Sequence, residues 1–264
     1  MGSRTRKIAK TLSNHGIDVN KFLTKTFGWR QGWFHNDLAE LKRQMGDDRS
    51  FQIGPFYKVP KNTGSAGEAR SVYFLQDLYV ARKVFEANPT RHVDIGSLIG
   101  GFVAHVASFR EIEVFDIRPL EQQIRNMVFR QADLMQVPSG FIDYCDSLSS
   151  LHAIEHFGLG RYGDPIDYFG HVKAIDSVSQ ILKKNGVFYF SVPIGFPQRI
   201  EFNGHRVFGI DYLLQILSKH FDISSFTYIN DKRDLIEDVR IDDESARTSF
   251  GCRLGCGIFT CVKK

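Results

Sequence analysis

From residue 92 onward, short apolar runs alternate with stretches whose apolar residues recur every three or four positions, the signature of strands and helices taking turns. The runs at 92–95, 112–115, 126–130, 142–148, 187–192, 221–229 and 257–262 predict seven strands. Between them, 166–184 repeats Ile166, Phe169, Val172, Ile175, Val178 and Ile181 at a three-residue step, with Asp164-Pro165 before it and Asn185-Gly186 after it. Those flanks supply a cap, a first-turn proline and a stop, so a helix is expected over 166–184. A second is expected over 210–219, where Ile210, Leu213, Leu214 and Leu217 share a face. Ahead of the first strand, 68–87 reads as a helix with Val72, Leu75, Tyr79 and Val84 inward, stopped by Asn88-Pro89. Alternation of this kind predicts an α/β fold, a doubly wound and mainly parallel seven-stranded sheet covered on both faces.

Residues 1–66 follow a different pattern. A helical stretch at 34–45 is interrupted on either side by Gly28, Gly32 and Gly46, and Lys61 to Gly67 has the composition of a flexible junction. The expected organisation is an N-terminal helical cap over 1–66 and an α/β domain over 67–264.

Composition narrows the function classes. The net charge of +4 is small for 264 residues and the basic residues are scattered, which argues against a nucleic-acid partner. No apolar run approaches the roughly 20 residues of a membrane span, and no charged segment followed by an apolar one opens the chain. A cytoplasmic location is therefore expected. The four cysteines, Cys145, Cys252, Cys256 and Cys261, lack paired zinc-site spacing and read as reduced, buried thiols.

In an open parallel sheet, ligands bind beyond the carboxyl ends of the strands, and the first strand-to-helix turn uses glycines to bring backbone close to a nucleotide. Here that turn is His92-Val-Asp-Ile-Gly-Ser-Leu-Ile-Gly-Gly101. Gly96 suits a positive φ, Gly100 and Gly101 lack side-chain bulk, and Asp94 offers an acceptor. A second acid, Asp116, lies at the end of the next strand, where ribose hydroxyls need acceptors. These features also suit a nicotinamide dinucleotide.

The later segments Arg130-Gln-Ala-Asp-Leu-Met-Gln-Val-Pro138, Ile142-Asp-Tyr-Cys and Ile181-Leu-Lys-Lys-Asn-Gly-Val-Phe-Tyr-Phe-Ser-Val-Pro193 resemble the motif series of class I S-adenosylmethionine-dependent methyltransferases. More narrowly, Gly67-Glu-Ala-Arg, Asp116-Ile-Arg-Pro and the stretch Ser150 to Gly163 resemble a little-characterised bacterial methyltransferase-like family associated with surface-polysaccharide genes. The resemblance implies a Rossmann-like fold that binds S-adenosylmethionine and releases S-adenosylhomocysteine. Gly96, Ser97 and Gly100 would meet its methionine part, Asp116 its ribose and Asp133 its adenine amino group, with Asp94, Ile117 and Leu134 beside them. Two departures stand out: Leu98 replaces the middle glycine, and the nine residues between Asp116 and Asn126 leave no room for a full helix.

Methyl transfer to a hydroxyl asks the protein to align the nucleophile and accept its proton. After the fourth strand, Ser150-Leu-His-Ala-Ile-Glu-His156 offers His152, Glu155 and His156. In a helix the two histidines would share a face, as bases or, with Glu155, as ligands of a divalent metal, although no metal is expected. Structural roles for the same side chains are the alternative. In the loop after the fifth strand, Asn203, His205 and Arg206 are candidates for binding a polar or anionic acceptor. Tyr73 and Gln76 are candidates for the cofactor carboxylate, and the acidic run 237–244 reads as a solvated loop. The expected activity is methyl transfer to an oxygen of a small polar or saccharide-type acceptor in surface-glycan biosynthesis, the alternatives being a binding module without turnover and a dinucleotide-dependent reductase or epimerase.

Overall fold

A computed structural model describes residues 32–56, 69, 71–137 and 139–264. The expected junction at 61–67 lies outside the described residues. Contacts divide the chain into two units, Met1–Ser65 and Ala66–Lys264. Within the first, α1 spans Gly32–Met45 and carries an Arg43–Glu40 pair on its surface.

The second unit opens with α2, Val72–Ala87. It starts later than its apolar pattern because the Ser71 hydroxyl accepts the Phe74 N–H at 3.0 Å, and it ends where left-handed Asn88 returns its N–H to Val84. The strands that follow are β1 (His92–Ile95), β2 (Ile112–Asp116), β3 (Met127–Gln131) and β4 (Cys145–Leu151). A π-helical turn, Ile99–Val103, and the short α3, Ala104–Ala107, connect β1 to β2, whereas no helix connects β2 to β3. Then come α4 (Gly170–Ile181), β5 (Leu182–Ile194), a hairpin of β6 (Arg199–Glu201) and β7 (His205–Val207), α5 (Ile210–Leu217) and β8 (Phe221–Ile229). The chain closes with β9 (Leu235–Ile236), α6 (Asp243–Thr248) and β10 (Gly255–Lys263).

The main sheet has the order β3-β2-β1-β4-β5-β10-β8-β9. Pairs from β3 to β5 are parallel, and β10 enters antiparallel between β5 and β8. The seven expected strands are all present, and β9 adds a short eighth at the edge. Strand order reverses between β1 and β4, so the crevice of a doubly wound sheet lies at their carboxyl ends.

Each strand serves two cores because successive side chains point to opposite faces. On β5, Phe188, Phe190 and Val192 pack with α4 and α5, while Val187 and Tyr189 pack with α2 and Phe102. Helix α4 accordingly buries Ile175, Val178 and Ile181.

Two expected starts are corrected. Strand β4 runs from Cys145 to Leu151 rather than over 142–148, because Asp143 is left-handed (φ 47°) and the Asp143 and Tyr144 N–H groups bond to Gln180 and Ile181. Helix α4 begins at Gly170, not 166, because Asp164 caps nothing in it: its carboxylate accepts N–H groups of Gly158, Gly160 and Tyr162. The acidic run 237–244 has its acids exposed, as expected; within it Glu237 pairs with Arg82 at 3.0 Å, and Asp242 caps α6.

Among the described residues no helix is long and apolar enough to cross a membrane. All four cysteines are free and buried.

His92 is buried on β1 between the hydroxyls of Ser147 (2.8 Å) and Ser149 (3.2 Å), and burial pushes its pKa down to about 3. The unfolded chain therefore binds a proton between pH 6.5 and 3 that the native site refuses, so stability falls with pH. From pH 7 to 5 this histidine alone removes about 2 kcal/mol. Urea unfolding at both pH values should show His92→Gln losing less stability than wild type by that amount, and parallel losses would refute the assignment.

Candidate active site

The first glycine turn is largely self-supporting. Asp94, fully buried, accepts the Ser97 N–H (3.0 Å), the Ser97 hydroxyl (2.6 Å) and the Ser149 hydroxyl (2.5 Å), and Ser97 Oγ accepts the Leu151 N–H. Burial raises the Asp94 pKa to about 6 against the pull of these hydroxyls. Both residues thus fasten β1 to β4 from inside the protein.

Gly96 takes the tight turn with φ +68°, donates its N–H to Phe115, and a Cβ there would press on the Ala153 methyl at 3.0 Å. Gly100 has open space, but at Gly101 a Cβ would run into the carboxylate of Asp77. The bulk missing at Gly101 therefore makes room for a side chain of α2. Asp77 is buried, accepts from Gln76 Nε2 (2.9 Å) and the Phe102 N–H, and has its pKa raised by burial. Sequence spacing held no signal for this partner, 24 positions upstream. Leu98, in place of a middle glycine, is exposed.

A pocket opens where β1, β2 and β4 end, bounded by Gly96, Asp116, Ile117, Asp133, Leu134 and both histidines. Asp94, Ser97, Gly100, Glu155, Asn203, His205 and Arg206 lie outside its lining. Asp116 is held by Arg118, whose Nε and Nη2 reach its two oxygens at 3.0 and 2.6 Å. The same guanidinium covers the Tyr162 ring at 4.4 Å, joining two walls and leaving a cavity of about 50 Å³, room for a few waters. Asp133 commits one oxygen to the Met135 N–H (2.9 Å) and keeps the other. Arg118 and Tyr162 are pocket residues that sequence reasoning missed.

The histidine segment is not a helix. His152 is left-handed (φ 51°), its N–H bonds to Ser191, and only Ile154–His156 forms a 3-10 turn. The turn nevertheless brings the three side chains together around Glu155, which is 1% exposed. His152 Nδ1 lies 2.8 Å and His156 Nε2 3.8 Å from Glu155 Oε1. Burial pushes the His152 imidazole down, but the Cys256 thiol and the Glu155 carboxylate beside it outweigh burial and hold its pKa well above the ordinary histidine value. His156 goes the other way, lowered mainly by burial. Its Nδ1 lies 2.6 Å from the Gly204 carbonyl, which fixes the proton there and leaves the Nε2 lone pair as acceptor. The two imidazoles are thus shifted in opposite directions.

The hairpin supports this turn from behind. Arg206 is buried and donates to the carbonyls of Glu155 (3.2 Å), Phe157 (2.7 Å), Asp167 (3.4 Å) and Tyr168 (3.1 Å). His205 Nε2 lies 3.3 Å from Glu201, and Asn203 is exposed at the hairpin tip. Of the other two candidates, Tyr73 rests against the His152 ring at 5.1 Å, while Gln76 is buried and accepts from Ser191 and Cys256. Among the described residues no group of three His, Cys, Asp or Glu side chains is placed to hold a metal ion.

Strand order, antiparallel β10 and the crevice beyond β1 and β4 define the fold of class I methyltransferases. The chain belongs to the family described as Caenorhabditis protein of unknown function, DUF268, whose model matches residues 103–249. No curated protein matches it. Among solved structures it resembles the cyclase SpnF, at 14% identity over 75% of this chain and 85% of that one, with a TM-score of 0.52. It also resembles the 1,6-didemethyltoxoflavin-N1-methyltransferase of Burkholderia thailandensis, solved with 1,6-didemethyltoxoflavin and S-adenosylhomocysteine, at 14% identity over 71% and 78% of the chains, with a TM-score of 0.50. One neighbour is called a cyclase and the other a methyltransferase, so the shared fold leaves the chemistry to be argued from the site.

Proposed function

We propose that this chain moves a methyl group from S-adenosylmethionine to an oxygen of a small polar or saccharide-type acceptor, in surface-glycan biosynthesis as its motif resemblance implies. The observation that carries the reading is the meeting, at one pocket, of a glycine turn, two carboxylates, of which Asp133 keeps one oxygen free, and an oriented neutral histidine. The residues present fit the cofactor. Gly96 leaves a cradle that a Cβ would fill, Asp116 Oδ2 has capacity for a ribose hydroxyl beside Arg118, and Asp133 keeps an oxygen for the adenine amino group. Ile117 and Leu134 supply apolar walls.

The cofactor, when bound, supplies a methyl carbon already activated by its sulfonium. What remains for the protein is alignment and removal of the acceptor's proton. We assign the proton to His156 Nε2, with Gly204 holding the tautomer. Glu155 orients the charged His152 and balances its charge.

Calorimetric titration tests this. S-adenosylhomocysteine and S-adenosylmethionine should bind and NAD should not. Asp116→Ala should weaken the sulfur nucleotides by about 1 to 3 kcal/mol, the range for hydrogen bonds to a charged group. Absence of binding by both sulfur nucleotides would end the proposal, and an unchanged affinity in the variant would remove Asp116 from it. One observation favours a second reading, a binding module without turnover: Leu98 stands where the motif's middle glycine is expected. Under that reading the nucleotides bind and no acceptor is methylated.

A further inference from the structure

Beyond the Arg206 clamp lies a second cavity of about 260 Å³, lined by Tyr168, His171, Gln198, Arg199, Arg206 and Tyr212 together with apolar side chains. No carboxylate is part of that lining. Arg206 is only 4% exposed, and four of its five N–H donors are spent on backbone carbonyls. The fifth, on Nε, has no partner. Among the described residues no carboxylate forms an ion pair with this guanidinium; burial lowers its pKa, opposed only by charges beyond contact distance such as Asp164 and Asp167, so the cation has lost water without gaining a counter-ion in contact.

His171, on the first turn of α4, is equally buried. Its Nε2 lies 2.7 Å from the Tyr212 hydroxyl and its Nδ1 lacks a partner in hydrogen-bond geometry. Burial and the nearby Arg206 charge hold its pKa down to about 4. The ring is therefore neutral, and in the tautomer in which the Tyr212 hydroxyl donates to Nε2 the proton sits on Nδ1, near the Tyr168 carbonyl but outside hydrogen-bond geometry, as a second donor. Gln198 gives its oxygen to the Gly209 N–H at 2.8 Å, which leaves its amide nitrogen as a third. Arg199 is divided between Glu201 and the carbonyls of Pro197 and Arg253.

Three donors, a buried cation with no carboxylate in contact and no acid in the cavity lining are the converse of a cation site. We propose that this cavity is an oxyanion site that takes the phosphate or carboxylate group of a small ligand, with Arg206 Nε–H, His171 Nδ1–H and the Gln198 amide as its donors. It is independent of the methyl-donor reading, since none of these three side chains lines the first pocket.

Isothermal titration of the full chain with inorganic phosphate, and separately with acetate, at constant ionic strength is the test. One or both ions should bind saturably at one site, and which of them does so identifies the group recognised. Gln198→Glu keeps the oxygen on the Gly209 N–H and places a negative charge among the same donors. It should unfold at or above the wild-type midpoint, yet bind the ion about tenfold more weakly or not at all. Arg206→Lys, which retains the charge but loses the planar fork, should also weaken binding. Failure of both ions to bind wild type, or wild-type affinity in Gln198→Glu, overturns the proposal.

Discussion

Replacing Gly158 by alanine is expected to cost about 4 kcal/mol of stability, the largest loss we anticipate from adding one methyl group to this chain. Gly158 has φ +76°, a region that costs an L residue about 1 to 2 kcal/mol. The larger share is steric. A Cβ at 158 would overlap the Asp167 carbonyl oxygen and lie 2.8 Å from its carbon, both backbone atoms that no rotamer change can move. The two segments are also bonded, Asp167 N–H to Gly158 O at 2.9 Å and Gly158 N–H to Asp164 at 2.7 Å. From the other side, a Cβ at Gly170 would lie 2.8 Å from the Phe157 carbonyl oxygen. Gly163 is the control, since its φ is +85° but nothing lies within 4 Å of a Cβ there. Gly163→Ala should lose only about 1 kcal/mol in denaturant unfolding. Equal losses at the two sites would show that backbone conformation alone matters.

His156→Gln should lower methyl transfer by about two to four orders of magnitude while leaving the affinity for S-adenosylhomocysteine unchanged, the pattern for loss of a general base. The pH dependence adds a second readout. Burial lowers the pKa of His156, with Arg161 and His152 adding to it and Glu155 and the Gly204 carbonyl opposing. The free base is required, so the rate should fall as pH drops through a value below 6.5, and that limb should vanish in the variant. The measurement is S-adenosylhomocysteine formed against a panel of small hydroxylated acceptors at several pH values. A variant with wild-type rate clears His156 of proton transfer. Parallel loss of nucleotide affinity would instead make it a wall of the pocket.

Much of the sheet was legible because it rests on local periodicity. The bounds of β1 and β8 match their apolar runs, and α5 starts where its repeat does. Errors came where a side chain was spent on something other than the element beside it. Asp164 looks like a helix cap and instead stitches a turn, and left-handed Asp143 delays β4. At the site, Asp116, Asp133 and the histidines were legible as chemistry on strand ends. Their opposite pKa shifts were not, because Gly204 and Cys256, which lie beside the two histidines, come from β-structure far along the chain. Arg206 was legible as a cation, but its carbonyl partners arrive from two other segments.

The contact between Arg118 and Tyr162 bears on how fast the first pocket admits a ligand. A cation over an aromatic ring near the surface is worth about 0.5 to 1 kcal/mol, which corresponds to roughly two to five closed molecules for each open one. Tyr162 can swing aside while Arg118 keeps its grip on Asp116. The latch therefore lowers apparent affinity by well under tenfold, and its release is a side-chain rotation, fast on the scale of any enzyme turnover. A narrow resting pocket is then a matter of equilibrium and not of rate: it sets a small free-energy toll on any ligand that enters and no kinetic barrier.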